Sequence, residues 1–264
     1  MDLKEELKLK VSEEPRKEGR ELNSYNKEII RVSIGSKLLF LTGIFHVIIG
    51  ILAFGLLEPT VTAFIFAFFV LLLSYFMLKF NGTIAVLEKP VIMFSTTVSF
   101  LNSITYSTLI LEGSTQDRFI LNILMTIVIM LNIVNFVIFF TAKVKFEMMD
   151  LPEKLSYFTI VILKGLGIGF LFYMLAWIGY PINPNFVMVS YNLIFGLAFI
   201  VFGQKLYTDK ESIRIQIGTI FTLMGALIIG IVLFIIYPNS KAIVNNVLIS
   251  IIIIIRLYYL IKHF

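Results

Sequence analysis

Two ionisable side chains lie inside long apolar stretches of this sequence, where a charge is costly and suggests a function. His46 is near the middle of the first stretch, between Gly43 and Gly50. Because imidazole titrates near neutral pH, His46 could relay or gate protons, but we favour a neutral, hydrogen-bonded core residue. Lys164 lies in the fifth stretch, directly before the glycine-rich run Gly165–Gly169. It could form an anion or counter-charge site, although we favour a long side chain that extends to the membrane interface.

Polar uncharged side chains concentrate on the third and fourth apolar stretches. Their amides are Asn102, Asn122, Asn132 and Asn135, and their hydroxyls are Ser95, Thr96, Thr97, Ser99, Ser103, Thr105, Tyr106, Ser107, Thr108 and Thr126. Hydroxyls can bond carbonyls of their own helix, but amides need a partner on another helix or in water. These two helices are therefore predicted to face the interior. Their amides could form interhelical hydrogen bonds, which we favour, or line a hydrated path for a solute.

Acidic side chains are absent from the middle of every apolar stretch. Because coupled cation carriers commonly bind their ion through a mid-membrane Asp or Glu, coupled cation transport is disfavoured. Cysteine is absent and only two histidines occur, which excludes disulfides and thiolate metal sites and argues against a haem held by two histidines. The sequence predicts no catalytic residue, no cofactor, no metal site and no enzyme activity.

The elements that must position these residues are eight apolar stretches. They are Leu38–Leu57, Val61–Phe80, Val91–Leu111, Phe119–Thr141, Tyr157–Tyr180, Phe186–Phe202, Ile213–Tyr237 and Ala242–Ile261. The sixth is the shortest and would need Gly203–Tyr207 to complete it. Of the 264 residues, 58% are hydrophobic and 15% charged, and the mean hydropathy is +0.94. About 20 apolar residues cross a bilayer as a helix. We therefore predict an all-α, polytopic transmembrane bundle of about eight helices, arranged as four hairpins.

Basic residues alternate between the connections of these stretches. One set of connections holds Lys27, Arg31, Lys37, Lys79, Lys89, Lys143, Lys145, Lys154, Lys205, Lys210, Arg214, Arg256 and Lys262. The other set holds only Arg118 and Lys241. Since short loops rich in Lys and Arg stay in the cytoplasm, both termini are predicted to be cytoplasmic, in a cell membrane. Arg256 is interpreted as an interfacial anchor beside Tyr258 and Tyr259.

The first 35 residues differ from the rest because they are densely charged, with acids and bases nearly in balance. We expect residues 1–35 to be a cytoplasmic tail, partly disordered or forming a short amphipathic helix that Pro15 would end. The tail could dock a cytoplasmic partner. Residues 36–264 form the predicted transmembrane domain. The net charge of +5 reflects membrane topology, so no nucleic-acid partner is expected.

Glycines recur at matching intervals in two of the apolar stretches. Gly43-x6-Gly50-x4-Gly55 in the first stretch matches Gly218-x6-Gly225-x4-Gly230 in the seventh. This pattern indicates possible internal repeats of the parallel kind, since each such hairpin starts on the same side. Glycines seven residues apart also share one helix face, where they allow close helix packing.

The sequence from Gly43 to Ala53, followed by Pro59 and a second apolar helix, resembles the hairpin of the HdeD-like family of small bacterial and archaeal membrane proteins. The resemblance covers residues 36–80 and, more faintly, 213–261. It implies a membrane role linked to acid stress, with no established reaction and no catalytic residue.

Two functional hypotheses follow. The first is a non-enzymatic HdeD-like or accessory membrane protein, in contact with membrane lipid and acting as a homo-oligomer or a subunit of a membrane complex. The alternative is a facilitator or channel for a neutral or anionic small solute. In that case the path would run along the polar faces of the third and fourth helices, with His46 and Lys164 supplying its few charges.

Overall fold

The computed structural model describes residues 3–80, 90–113, 115, 118–178, 185–209 and 212–263. Within these ranges, side chains are described from Tyr25 onward, except those of Leu57, Pro90 and 176–178. The described chain forms eight helices and no strand. They are α1 (Leu3–Leu52), α2 (Leu57–Lys79), α3 (Pro90–Leu111), α4 (Phe119–Phe146), α5 (Leu151–Ile178), α6 (Phe186–Thr208), α7 (Ile213–Ile236) and α8 (Ser240–His263). The predicted all-α bundle is confirmed.

Seven helices of the described chain are long and apolar enough to cross a membrane: α1 from Tyr25 onward, α2, and α4 to α8. α3 is excluded because its Ser, Thr and Asn residues lower its hydropathy. Only Phe94 and Leu111 among its described side chains are exposed, so other helices surround α3. A helix without a lipid-facing surface does not need to be apolar all round. The chain is an integral, multi-pass membrane protein.

The bounds of α6 and α1 depart from the predicted stretches in informative ways. α6 continues to Thr208, as its short apolar stretch required. α1 ends at Leu52, earlier than predicted, and the turn that follows contains Gly55 at φ 94°. The expectation that Pro15 would end a helix is wrong, because α1 continues through it. Proline removes one backbone hydrogen bond and tends to kink a helix, but the remaining bonds can carry the helix past it.

The two halves of the chain repeat one pattern of helix packing. In the first half α1 packs on α2 and α4, and α3 packs on α4. In the second half α5 packs on α6 and α8, and α7 packs on α8. α3 joins the halves through α5. The pattern therefore relates α1 to α5, whereas the glycine intervals related the first helix to the seventh.

Three glycines of the matching motifs have different surroundings. A Cβ atom on Gly43 would lie 2.6 Å from Leu71 Cδ2, and one on Gly50 would lie 2.9 Å from Phe64 Cζ. Both neighbours belong to α2, so these glycines bring α1 and α2 together. A Cβ atom on Gly225 would meet nothing within 4 Å. The shared intervals thus do not reflect a shared packing role.

We name the two sides of the bundle by their connections. The basic side carries the connection between α4 and α5, together with Lys143 and Lys145 in the last turn of α4 and Lys154 in the first turn of α5. The opposite side carries the connection between α7 and α8, with Lys241.

Candidate functional site

A buried polar core connects α1 to α3. His46 on α1 is fully buried, and its Nδ1 atom lies 2.8 Å from the Tyr106 hydroxyl. Its Nε2 atom lies 3.2 Å from the Asn102 amide nitrogen. Both partners belong to α3 and are fully buried. A neutral imidazole has one donor and one acceptor nitrogen and can therefore serve both contacts.

Asn135 and Asn132 extend this polar core along α4. The Asn135 amide nitrogen donates to Thr42 Oγ1 at 3.4 Å, while the Thr42 hydroxyl donates to the Leu38 carbonyl oxygen at 2.8 Å. Because a hydroxyl has only one proton, this pairing fixes the orientation of the Asn135 amide. The Asn132 amide nitrogen donates to the Val128 carbonyl oxygen at 3.0 Å. The Oδ1 atoms of both asparagines are left without a partner among the described residues.

Ser99 Oγ and Asn102 Oδ1 also lack a hydrogen-bond partner within the described chain. All four atoms lie on α3 or α4. Leaving a buried acceptor unsatisfied costs about 1–3 kcal/mol. This core therefore favours a species that can donate hydrogen bonds.

Most hydroxyls of α3 are satisfied inside their own helix. Such bonds to backbone carbonyls are made by Ser95, Thr96, Thr97, Ser103, Thr105, Ser107 and Thr108, at 2.7 to 3.0 Å. These groups need no solute and no water. Few of the polar groups on α3 are therefore free to bind a solute or a water molecule.

Two of the predicted site residues lie outside this core. Asn122 bonds to Thr115 in the connection that precedes α4, through both the backbone oxygen and the hydroxyl. Lys164 donates to Gln204 Oε1 at 2.6 Å and lies 5.4 Å from the centre of the Tyr207 ring. Only His46 and three of the four predicted asparagines belong to the polar core.

Arg256 on α8 is a residue whose role the sequence interpretation missed. It is fully buried and donates to Ser156 O at 2.8 Å, Ser156 Oγ at 3.1 Å and Gln216 Oε1 at 3.3 Å. The interpretation of Arg256 as an interfacial anchor is wrong, since its guanidinium lies between α5, α7 and α8. A helical period was the available signal, because Arg256 shares a buried face with Ile249 and Ile252.

The opposite side holds a cluster of charged residues that joins the two halves. Lys241 on α8 forms ion pairs with Glu58 at 2.5 Å and Glu112 at 3.2 Å. The Ser240 hydroxyl donates to Glu112 Oε1 at 2.9 Å. Arg118 donates to the Leu52 carbonyl oxygen at 2.7 Å, at the C-terminus of α1. Both basic residues of this side therefore have defined partners.

Two cavities of the described chain lie away from the polar core. One, of about 20 Å³, lies among α5 to α8 and is lined in part by Tyr191, Asn192 and Asn246. It has room for about one water molecule. The other, of about 230 Å³, lies on the basic side near the connection of α4 and α5. Neither is lined by His46, Asn102, Asn132 or Asn135.

No family model, curated protein or solved structure matches this chain. The resemblance of residues 36–80 to the HdeD-like family stays a prediction. The predicted cell membrane and the cytoplasmic position of both termini also stay predictions.

Proposed function

We propose that this chain is a non-enzymatic, HdeD-like accessory membrane protein that acts by contact with a protein partner. The observation that carries the proposal is the length of α1, which is one helix of 50 residues. Its apolar stretch begins only at Leu38. At about 1.5 Å per residue, segment 3–24 alone adds roughly 33 Å of helix ahead of that stretch.

The composition of this segment suits a protein partner better than a lipid surface. Its acidic and basic residues nearly balance, whereas segments that bind anionic lipid carry an excess of Lys and Arg. In the sequence, the apolar residues Leu3, Leu7 and Val11 recur at intervals of four, which predicts one apolar helix face. Such a face, flanked by charges of both signs, is typical of a helix that docks on another protein.

The test is site-specific photocrosslinking in cells that express the full chain. A photoreactive residue at position 7 should give one discrete crosslinked protein. The same residue in place of Ile228, which is 61% exposed on α7, should not give that product. The captured protein should then purify with the full chain in constant stoichiometry, and deletion of residues 3–22 should abolish that association. Equal crosslinking at both positions, or retained association after the deletion, would refute the proposal.

The alternative function is a facilitator for a small neutral solute. The observation that favours it is the pair of oriented Asn132 and Asn135 amides, whose buried Oδ1 atoms point to a species that donates hydrogen bonds. Amide oxygens carry partial negative charge, so this core favours a neutral donor such as urea or glycerol over an anion.

Stopped-flow shrinkage of proteoliposomes tests this alternative. Urea or glycerol should equilibrate faster in wild-type vesicles than in empty ones, and Asn132→Leu should remove most of the difference. Asn122→Leu is the matched control, because Asn122 lies outside the polar core, and it should retain the flux. Wild-type vesicles that shrink no faster than empty ones would exclude the facilitator.

A further inference from the structure

Lys164 on α5 carries a positive charge that no side chain of the described residues neutralises. Its ammonium donates to Gln204 Oε1 at 2.6 Å and lies 5.4 Å from the centre of the Tyr207 ring. It takes part in none of the ion pairs found within the described chain. Because the Gln204 amide is neutral, it orients the ammonium without compensating its charge. This cation, within a candidate span, therefore remains available to a counter-charge from outside the described chain.

The packing of α5 on α6 directs this ammonium toward the basic side. A Cβ atom on Gly203 would lie 2.8 Å from Lys164 Cγ, so the missing side chain at this position makes room for the lysine stem. Helical side chains lean toward the N-terminus of their helix, and α5 begins on the basic side. The stem therefore passes over Gly203, and the ammonium reaches the last two turns of α6, where Gln204 and Tyr207 lie.

The exposed face of α6 changes polarity at the level of the ammonium. Leu197 and Val201 are 50% and 53% exposed, as expected of side chains that contact lipid tails. Gln204 and Thr208 follow on the same face, at the helical spacing, and both are exposed. An apolar face that becomes polar in the last turns of a spanning helix marks the boundary between hydrocarbon and headgroups. The Lys164 ammonium therefore lies near the lipid headgroups.

Gln204 supplies a second donor group. Because its Oε1 atom accepts the hydrogen bond from the ammonium, its amide nitrogen forms the other end of the side chain. That nitrogen makes no hydrogen bond within the described chain. The ammonium has three N–H bonds, and Gln204 is its only hydrogen-bond partner among the described residues. The pair thus presents several N–H donors and one positive charge on a lipid-facing surface, a combination that suits a phosphate.

We propose that Lys164 and Gln204 bind the phosphate of an anionic phospholipid in the leaflet on the basic side. The phosphate oxygens accept hydrogen bonds from the Lys164 ammonium and the Gln204 amide nitrogen, and the acyl chains lie along Leu197 and Val201. The phosphate supplies the counter-charge that Lys164 lacks within the described chain. Because water is scarce at the edge of the hydrocarbon region, this attraction is stronger there than in bulk solvent.

The charges near the site favour an anionic headgroup over a zwitterionic one. Glu147 and Glu153 line a cavity together with Tyr207, but Glu147 pairs with Lys143, and neither carboxylate forms an ion pair with Lys164. The ammonium of a zwitterionic headgroup would therefore lie near the Lys164 cation without a carboxylate partner from this part of the described chain. An anionic headgroup brings no such positive charge.

This site goes beyond the proposed contact with a protein partner. It lies on α5 and α6, whereas that contact is carried by segment 3–24 of α1. It is also separate from the polar core of α1, α3 and α4. Either proposal can therefore fail without the other.

Native mass spectrometry of the full-length protein, purified in mild detergent, measures lipid binding. Phosphatidylglycerol and phosphatidylcholine with the same acyl chains are titrated separately. We expect the first phosphatidylglycerol to bind at least about fivefold more tightly than the first phosphatidylcholine. Excess inorganic phosphate should leave the bound lipid in place, because it has no acyl chains to contact α6. Equal affinity for the two lipids, or displacement of the lipid by inorganic phosphate, would overturn the proposal.

Two variants and one control locate the site. Lys164→Gln should weaken phosphatidylglycerol binding by about fivefold and remove the preference over phosphatidylcholine, whereas Lys164→Arg should retain it. Lys262→Gln removes the same charge from the exposed end of α8 on the same side, and should change affinity less than about twofold. A folded Lys164→Gln protein that keeps the preference would overturn the proposal, and so would an equal loss in Lys262→Gln. The comparison of the two lipids needs no variant, so it tests the site even if Lys164→Gln does not fold.

Discussion

Adding one methyl group at two different glycines should change stability in opposite directions. A Cβ atom on Gly167 would lie 2.8 Å from the Gly196 carbonyl oxygen, 2.8 Å from Ile200 Cγ1 and 3.0 Å from the Ile200 backbone nitrogen. Two of these contacts are with backbone of α6, which cannot rotate away. α5 and α6 would have to separate, and overpacking of this kind costs about 1–3 kcal/mol. A Cβ atom on Gly225 in α7 would meet nothing within 4 Å.

The gain in helix propensity is common to both substitutions, because both glycines are inside helices. Gly→Ala in a helix interior stabilises by roughly 0.5–1 kcal/mol. Gly225→Ala should therefore raise the free energy of unfolding by that amount. Gly167→Ala should lower it by roughly 0.5–2 kcal/mol, since the steric cost exceeds the gain. The difference between the variants, about 1–3 kcal/mol, isolates the contact between α5 and α6.

Reversible unfolding by sodium dodecyl sulfate in mixed micelles, followed by far-ultraviolet ellipticity, measures both free energies. Gly196→Ala provides a check from the other helix, because its Cβ atom would lie 3.1 Å from the Gly167 carbonyl oxygen and it should also destabilise. If Gly167→Ala and Gly225→Ala shift the free energy of unfolding by the same amount, close approach of α5 and α6 does not stabilise the bundle, and the packing argument fails.

Three further outcomes are expected. Met148 is 73% exposed and adopts φ 48°, so Met148→Gly should raise the free energy of unfolding by about 0.5–1 kcal/mol in the same assay, whereas Met148→Ala should give no gain because it keeps a Cβ atom. Arg256→Lys should lower the free energy of unfolding by about 1–3 kcal/mol, because an ammonium group cannot reproduce the guanidinium hydrogen bonds to Ser156 and Gln216. An unchanged value would show that these hydrogen bonds do not hold α5, α7 and α8 together. Topology can be tested with single cysteines, since the native chain has none. Ser240→Cys should react with a membrane-impermeant maleimide on intact cells, whereas Thr208→Cys should react only after permeabilisation. The reverse pattern would contradict the predicted orientation.

The number and positions of the helices could be predicted because membrane thickness imposes a length on every apolar stretch. Which helix the others surround could not be predicted from length. The polar content of α3 indicated an interior position, but it did not reveal that most of its hydroxyls bond their own helix. The hydrogen-bond partners of Arg256 could not be predicted from the sequence for a similar reason. Ser156 is 100 residues away along the chain, and only the packing of α5 on α8 brings it close.

Residue type alone did not show which candidate asparagines belong to the polar core. The tertiary contacts of each side chain decide this. Asn122 and Asn132 look alike in sequence, both being amides on one apolar helix. Asn122 is near the start of α4 and bonds the preceding connection, whereas Asn132 is buried one turn from Asn135. Distance from the helix end was the available signal, and a residue in the first turn is more often a partner of the adjoining loop than of the core.

Basic residues are rare on the opposite side of the bundle, and the contacts of Arg118 and Lys241 explain why these two occur there. On the opposite side, Lys241 joins Glu58 of α2 to Glu112, which follows α3, while Arg118 caps carbonyl oxygens at the end of α1. The Lys241 pairs link the second half of the chain to the first. A cation near helix C-terminal carbonyls is also favoured by the helix dipole. Arg118 and Lys241, the two exceptions to the predicted charge bias, are therefore residues that connect elements of the bundle.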